Sequence, residues 1–203
     1  MKTLAALVFP GFQTLDLFGP LEILGDHDPG EVDIKIVAET SEPVPSYHGF
    51  RVTVDKTLDD GSDYDLLLIP GGDAAPLDPR NEAINDWIIE TSARAEYVMA
   101  VCTGTVLLAT TGLLDGRRAT TNKRDFTATV HHGPGVEWVP QARWVEDGKF
   151  FTSSGVSAGI DMSLAVMAKL YGEATAEDIA VGTEYDWHRD ASWDPFAKLA
   201  GLV

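Results

Sequence analysis

Cys102 is the only cysteine in 203 residues, and it falls within the run Tyr97-Val98-Met99-Ala100-Val101-Cys102-Thr103-Gly104-Thr105. The apolar, partly β-branched residues before it predict a buried central strand. Gly104 and the following Val106-Leu107-Leu108-Ala109 predict a tight turn into a packed helix. A thiol at such a corner faces the unpaired amides of a helix start. Those amides and the positive end of the helix dipole favour thiolate over thiol and can hold a developing oxyanion. The chemistry on offer is nucleophilic, with sulfur attacking an electrophilic centre. The plainer alternative is a buried cysteine acting as a small hydrophobe. The Thr-Gly-Thr turn weighs against it, because a packing cysteine needs neither a corner nor hydroxyls beside it.

Asp16 is the second residue with chemical potential. Leu15-Asp16-Leu17-Phe18-Gly19-Pro20 sets one carboxylate among apolar groups, where a buried charge is costly without a partner or a task. Desolvation and a neighbouring thiolate would both raise its pKa, leaving a neutral acid able to pass a proton to substrate. A helix cap is the competing reading. Glu22, further along the same helix, is open as a substitute acid or a solvent-facing residue. Gly71 and Gly72, after the apolar run Leu66 to Ile69 and before Asp73, suit a turn whose amides approach a substrate closely. Beside a nucleophile corner, the amides of Gly72 and Thr103 become a candidate oxyanion hole.

The elements that must position these groups alternate strand and helix. Strands are expected at Leu4 to Phe9, Asp33 to Ala38, Phe50 to Val54, Leu66 to Ile69, the run into Cys102, and Arg118 to Thr121. A hairpin is expected from Ala142 to Thr152 through Asp147-Gly148. Helices are expected at Leu15 to Leu24 (interrupted at Gly19-Pro20), Asn81 to Ala95, from Cys102 to near Gly112, Lys123 to Val130, Ser157 to Leu170, and Thr175 to Tyr185. The last has a cap expected at Thr175 and an acid at Asp178. The pattern predicts an α/β protein with a mostly parallel sheet between helical layers, in which ligands gather at the carboxyl ends of the strands. Asp16, Gly71-Gly72 and Cys102-Thr103 all fall at such ends. Gly155, Ala158 and Gly159 predict close packing of a helix beneath Cys102, with Ile160, Leu164 and Met167 as its core stripe.

Composition narrows the function classes. With 44% apolar and 23% charged residues and no low-complexity tract, the chain reads as one globular domain over 1–203. No apolar run approaches the roughly 20 residues of a membrane helix and no secretory leader is apparent, so a cytoplasmic setting is expected. The net charge of −17 opposes binding to a phosphate backbone. The balance of 20 Asp to 12 Glu and only seven Lys fits either a salt-adapted acidic surface or an ordinary acidic protein. The histidines have no metal-pair spacing on one helix or strand, and no metal or organic cofactor is expected.

Five motifs taken together resemble the ThiJ/PfpI superfamily: Phe-Pro-Gly-Phe-Gln-Thr-Leu-Asp-Leu-Phe-Gly-Pro-Leu-Glu at 9–22, Ile-Pro-Gly-Gly at 69–72, Ala-Val-Cys-Thr-Gly-Thr at 100–105, Gly-Leu-Leu-Asp-Gly-Arg-Arg-Ala-Thr-Thr at 112–121, and Ser-Gly-Val-Ser-Ala-Gly-Ile-Asp at 154–161. The match is closest to the isocyanide hydratase branch. The resemblance implies a flavodoxin-like three-layer sandwich with a nucleophile elbow, usually a homodimer, acting on a small molecule. It further implies Cys102 as nucleophile, Asp16 as general acid and base, Thr103 hydrogen-bonding near Asp16 or the substrate, and backbone contributed by Gly72. Where relatives often carry histidine after Ala-Thr-Thr, this chain has Asn122 and Lys123. That leaves Asn122 open as a hydrogen-bond donor at the mouth of the site or as a surface turn residue. Glutamine amidotransferase chemistry is disfavoured because there is no His-x-Glu. Glyoxalase- or deglycase-like activity is disfavoured because Thr103, not histidine, follows Cys102. A ligand sensor of the kind fused to AraC-type regulators, a redox sensor oxidised at Cys102, and, less favoured, a glyoxalase- or deglycase-like hydrolase remain the alternatives. The stretch Trp187-His188-Arg189-Asp190 and the tail after it are expected only as an extension.

Overall fold

The computed structural model describes residues 1–26, 31–72 and 82–203; Asp73 and Asn81 lie outside the described residues. The strands are β1 (Lys2–Leu7), β2 (Val32–Ala38), β3 (Val44–Pro45), β4 (Arg51–Val52), β5 (Lys56–Thr57), β6 (Leu66–Ile69), β7 (Tyr97–Val101), β8 (Arg118–Ala119), β9 (Glu137–Trp138), β10 (Trp144–Asp147) and β11 (Phe150–Ser153). The helices are α1 (Thr14–Gly25), α2 (Glu82–Arg94), α3 (Gly104–Thr110), α4 (Phe126–Thr129), α5 (Ala158–Tyr171), α6 (Glu173–Gly182) and α7 (Pro195–Leu199). A seven-stranded sheet in the order β10-β11-β7-β6-β1-β2-β5 forms the core. It is parallel throughout except at the β10–β11 edge hairpin. This is the flavodoxin-like α/β architecture.

The central strands β1, β6 and β7 are almost continuously apolar because both faces of a parallel sheet are covered by helices. Leu66, Leu67, Leu68 and Ile69 are all fully buried, as are Val98 to Val101. At about 25 cal/mol per Å² of apolar surface removed from water, this layer dominates the folding energy. Parallel register aligns Ala6 with Leu68 and Ile69 with Ala100, so the three strands deliver their carboxyl ends to one edge.

Several expectations need correction. Helix α1 is not interrupted at Gly19-Pro20 but runs through it. A Cβ at Gly19 would lie 2.8 Å from the Ile160 side chain, and Pro20 packs on Gly159, so the two residues seat α1 closely against α5. Helix α6 starts at Glu173 after Gly172 (φ +98°), so Thr175 lies inside it, its hydroxyl donating to the Tyr171 carbonyl at 3.1 Å. A glycine in the left-handed region had already ended α5 and reset the chain. The hairpin turn is centred on Gly148-Lys149, with Asp147 paired to Phe150 and Gly148 at φ +61°. The expected strand at Phe50 to Val54 shrinks to β4, which pairs with β3 outside the main sheet. No helix among the described residues is long and apolar enough to cross a membrane.

Candidate active site

The chain leaves β7 at Val101 and enters α3 at Gly104, with Cys102 between them at φ +56°. A left-handed backbone at a residue bearing a Cβ is strained. Here hydrogen bonds on either side hold it: the Cys102 N–H donates to the Ser153 carbonyl at 3.2 Å, and the Cys102 carbonyl accepts the Thr121 hydroxyl at 2.7 Å. Gly104 lets the elbow close, since a Cβ there would stand 2.4 Å from the Ile69 carbonyl oxygen. The sulfur therefore emerges at the carboxyl edge of the sheet.

Asp16 sits in the first turn of α1 and is fully buried. It does not cap the helix: the N-cap is Gln13, without a side-chain bond. Its Oδ2 instead accepts the Gly71 N–H at 2.9 Å, and its Oδ1 is buried with no conventional hydrogen-bond partner. Burial drives its pKa up from 3.8 to about 7, against the opposing pull of the Gly71 amide and the nearby Cys102 thiol. The same burial pushes the Cys102 thiol well above its ordinary value, and the Asp16 charge adds to the rise. The amides of Thr103 and Val156 face the sulfur and pull the other way. Desolvation thus outweighs the helix-start amides, and the expected preference for thiolate is not built in on its own. The thiol and carboxyl share a single site for negative charge.

Gly71 is pinned between these groups: a Cβ there would lie 2.7 Å from Thr103 Oγ1 and 2.8 Å from Asp16 Oδ2. The Gly72 amide, read from the sequence as half of an oxyanion hole, donates to Thr103 Oγ1 at 3.0 Å, and that hydroxyl donates back to the Gly72 carbonyl at 3.1 Å. The second amide facing the sulfur is that of Val156, at φ +48°. Sequence reasoning missed it. The motif Ser154-Gly155-Val156-Ser157 marks the place, but a β-branched residue carries no hint of a left-handed backbone.

Asn122 is buried rather than on a surface turn, and its amide is committed: Nδ2 donates to Asp125 at 2.8 Å, and Oδ1 accepts from Thr121 at 3.2 Å. Lys123 is also buried, donating to Thr120 Oγ1 at 2.6 Å and to the Thr121 carbonyl at 3.3 Å. Burial draws its pKa down from 10.5 to about 8. Glu22 is exposed on α1 and takes no part. A cavity of about 580 Å³ opens on Cys102, Thr103, Gly72, Asn122 and Lys123, with Gln13, Tyr47, Val156, Ser157 and Phe196 among its other walls. No histidine among the described residues lines it.

A parallel α/β sheet with a buried cysteine on a strained strand-to-helix elbow, an apolar-set carboxylic acid beside it and a cavity in front defines a class of thiol-centred flavodoxin-like proteins. Within that class the chain belongs to the DJ-1/PfpI family, whose model matches residues 2–169. It is 35% identical over 181 residues to an isonitrile hydratase from Pseudomonas putida, covering 88% of this chain and 76% of that one. It is 29% identical to the helix-turn-helix transcriptional regulator CdhR of Pseudomonas aeruginosa, covering 86% of this chain and 52% of the regulator. Among solved structures, a ThiJ/PfpI family protein from Pseudomonas syringae superposes with a TM-score of 0.78 at 34% identity, over 91% of this chain and 75% of that one.

Proposed function

We propose that the protein hydrates an organic isocyanide to the corresponding N-formamide. The observation that carries this reading is the Cys102–Asp16 pair: a soft nucleophile and a carboxyl group with a pKa of about 7, buried together, holding one proton to exchange. Likeness to the isonitrile hydratase supports it. The Asp16 carboxylate first takes the thiol proton, so that in the active form the proton resides on Asp16 and the charge on sulfur. The thiolate attacks the terminal carbon of R–N≡C, and Asp16 passes its proton to that carbon, giving the covalent thioimidate R–N=CH–S–Cys102. Asp16, now a carboxylate, takes a proton from water as the hydroxyl adds to the same carbon. Asp16 hands that proton to the imine nitrogen, giving R–NH–CH(OH)–S–Cys102, whose collapse expels the thiolate while Asp16 takes the hydroxyl proton, leaving R–NH–CHO and restoring the starting protonation. The Thr103 and Val156 amides are the donors available to developing charge at this centre.

The assay is incubation with an alkyl or aryl isocyanide, following formamide by mass spectrometry in low and high salt. Cysteine-dependent formamide is expected, with no product from Cys102→Ala. Full activity in that variant would remove Cys102 from the chemistry. No product from folded wild-type protein would shift the reading to a ligand sensor, which the regulator relative favours, or to a redox sensor. We also propose a homodimer, in line with the family resemblance. Leu15, Phe18 and Phe50 are each 39–43% exposed, with the two rings 6.3 Å apart, and offer it an apolar face. Sedimentation at micromolar concentration tests that.

A further inference from the structure

The family model ends at residue 169, yet a residue well beyond it lines the Cys102 cavity: Phe196, in the short helix α7. Phe196 is 54% exposed and Tyr47, on the turn between β3 and β4, 61%, and both line the same cavity. Large aromatic groups are usually withdrawn from water, and here two exposed ones line the cavity that holds a buried thiol.

The segment carrying Phe196 is firmly held. Arg143 is 7% exposed, and its Nε donates to the Asp161 carboxylate on α5 at 2.7 Å. Asp194, fully buried, lies 3.8 Å from the same guanidinium through Oδ2, while its Oδ1 accepts the Phe196 N–H at 2.9 Å and so fixes the start of α7. Backbone bonds reinforce the attachment: Arg143 N–H to the Ala191 carbonyl at 2.8 Å, and Asp194 N–H to the Gln141 carbonyl at 2.7 Å. His188 N–H donates to Asp161 Oδ1 at 2.9 Å, and Trp187 Nε1 to the Asp161 carbonyl at 3.2 Å. Such an arrangement fixes the backbone that carries Phe196 more tightly than a terminal segment otherwise requires.

We infer that the C-terminal segment is the specificity wall of the Cys102 cavity, in which Phe196, positioned by Asp194 on Arg143, selects electrophiles bearing a flat apolar group over small alkyl ones. The cavity volume of about 580 Å³ far exceeds a methyl substituent, so a small substrate leaves the aromatic walls uncovered, whereas a benzyl-sized group stacks on them. The identity of the electrophile as an isocyanide rests on the function proposed above; the wall does not.

The test compares benzyl and methyl isocyanide with wild type, Phe196→Ala and Asp194→Asn. The benzyl-to-methyl ratio of kcat/KM is expected to fall about tenfold in Phe196→Ala, mostly through KM. It falls in the same direction in Asp194→Asn, which keeps an acceptor for Phe196 N–H but loses the charge opposite Arg143. A second readout needs no turnover: the rate at which Cys102, the only cysteine, is alkylated by N-benzyl iodoacetamide relative to iodoacetamide. If neither isocyanide is consumed but Phe196→Ala lowers the alkylation ratio, the hydration reading fails and the wall stands. A Cys102 inert to the benzyl reagent in wild type, or an alkylation ratio unchanged by Phe196→Ala, overturns the wall.

Discussion

Above about pH 7 Asp16 and Cys102 hold one dissociable proton between them, and below it two, with opposite consequences for activity and stability. With both groups protonated there is no thiolate; loss of the first proton, near 7 and from Asp16, leaves a carboxylate that can take the thiol proton, so alkylation of Cys102 and catalysis should rise with pH through that value. Asp16→Asn, which retains an acceptor for Gly71, should erase that inflection; an unshifted profile would assign the titration elsewhere. For stability, the folded state binds an extra proton between the unfolded value of 3.8 and about 7. The stability from this site is therefore complete at low pH and is lost as pH rises to neutrality. Asp16→Asn should match wild type near pH 4 and exceed it by up to about 4 kcal/mol at pH 8, as read by urea denaturation at the two pH values. Cys102 and Asp16 were visible in the sequence because a lone thiol at a strand end and an acid in an apolar run are both anomalies. The Val156 amide was not, because a backbone N–H carries no residue signature.

The elements converge on the site through close approaches that only glycine permits. A methyl group at Gly104 would press on the carbonyl oxygens of Ile69 and Pro70, at 2.4 and 2.7 Å. These are backbone atoms that cannot swing aside, so Gly104→Ala should destabilise the fold by more than about 2 kcal/mol. A denaturation midpoint near that of wild type would show that the elbow has slack. Gly159→Ala, opposite Val101 side-chain carbons at 3.0 and 3.1 Å, should cost less, because side chains can yield. The long apolar strands and α5 were legible because burial on both faces or along one stripe imposes a pattern on many residues. Strands β3, β5 and β9 have two residues each, too few to show any period. The start of α6 was misread because Thr175 and Asp178 imitate a capping box, while Gly172 sets the boundary.

At the scale of the whole molecule, 32 acidic residues face 15 basic ones. Most of the described ion pairs lie at the surface, where each contributes about 0–1 kcal/mol. Net self-repulsion should then dominate the response to salt: raising potassium chloride from 0.05 to 1 M should increase the melting temperature by roughly 5–10 °C. A melting temperature that falls with salt would mean that specific pairs matter more than the net field. The charge was readable from composition. The docking of the C-terminal segment was not, because Arg143, Asp161 and Asp194 are distant in sequence and meet only in the folded chain.

The left-handed backbone at Cys102 makes the reactive position a liability to the scaffold that carries it. A non-glycine residue in that conformation costs about 1–2 kcal/mol relative to glycine, so Cys102→Gly should melt higher than Cys102→Ala while being equally inert. The two variants together separate the chemistry of the sulfur from the conformational tension of its host.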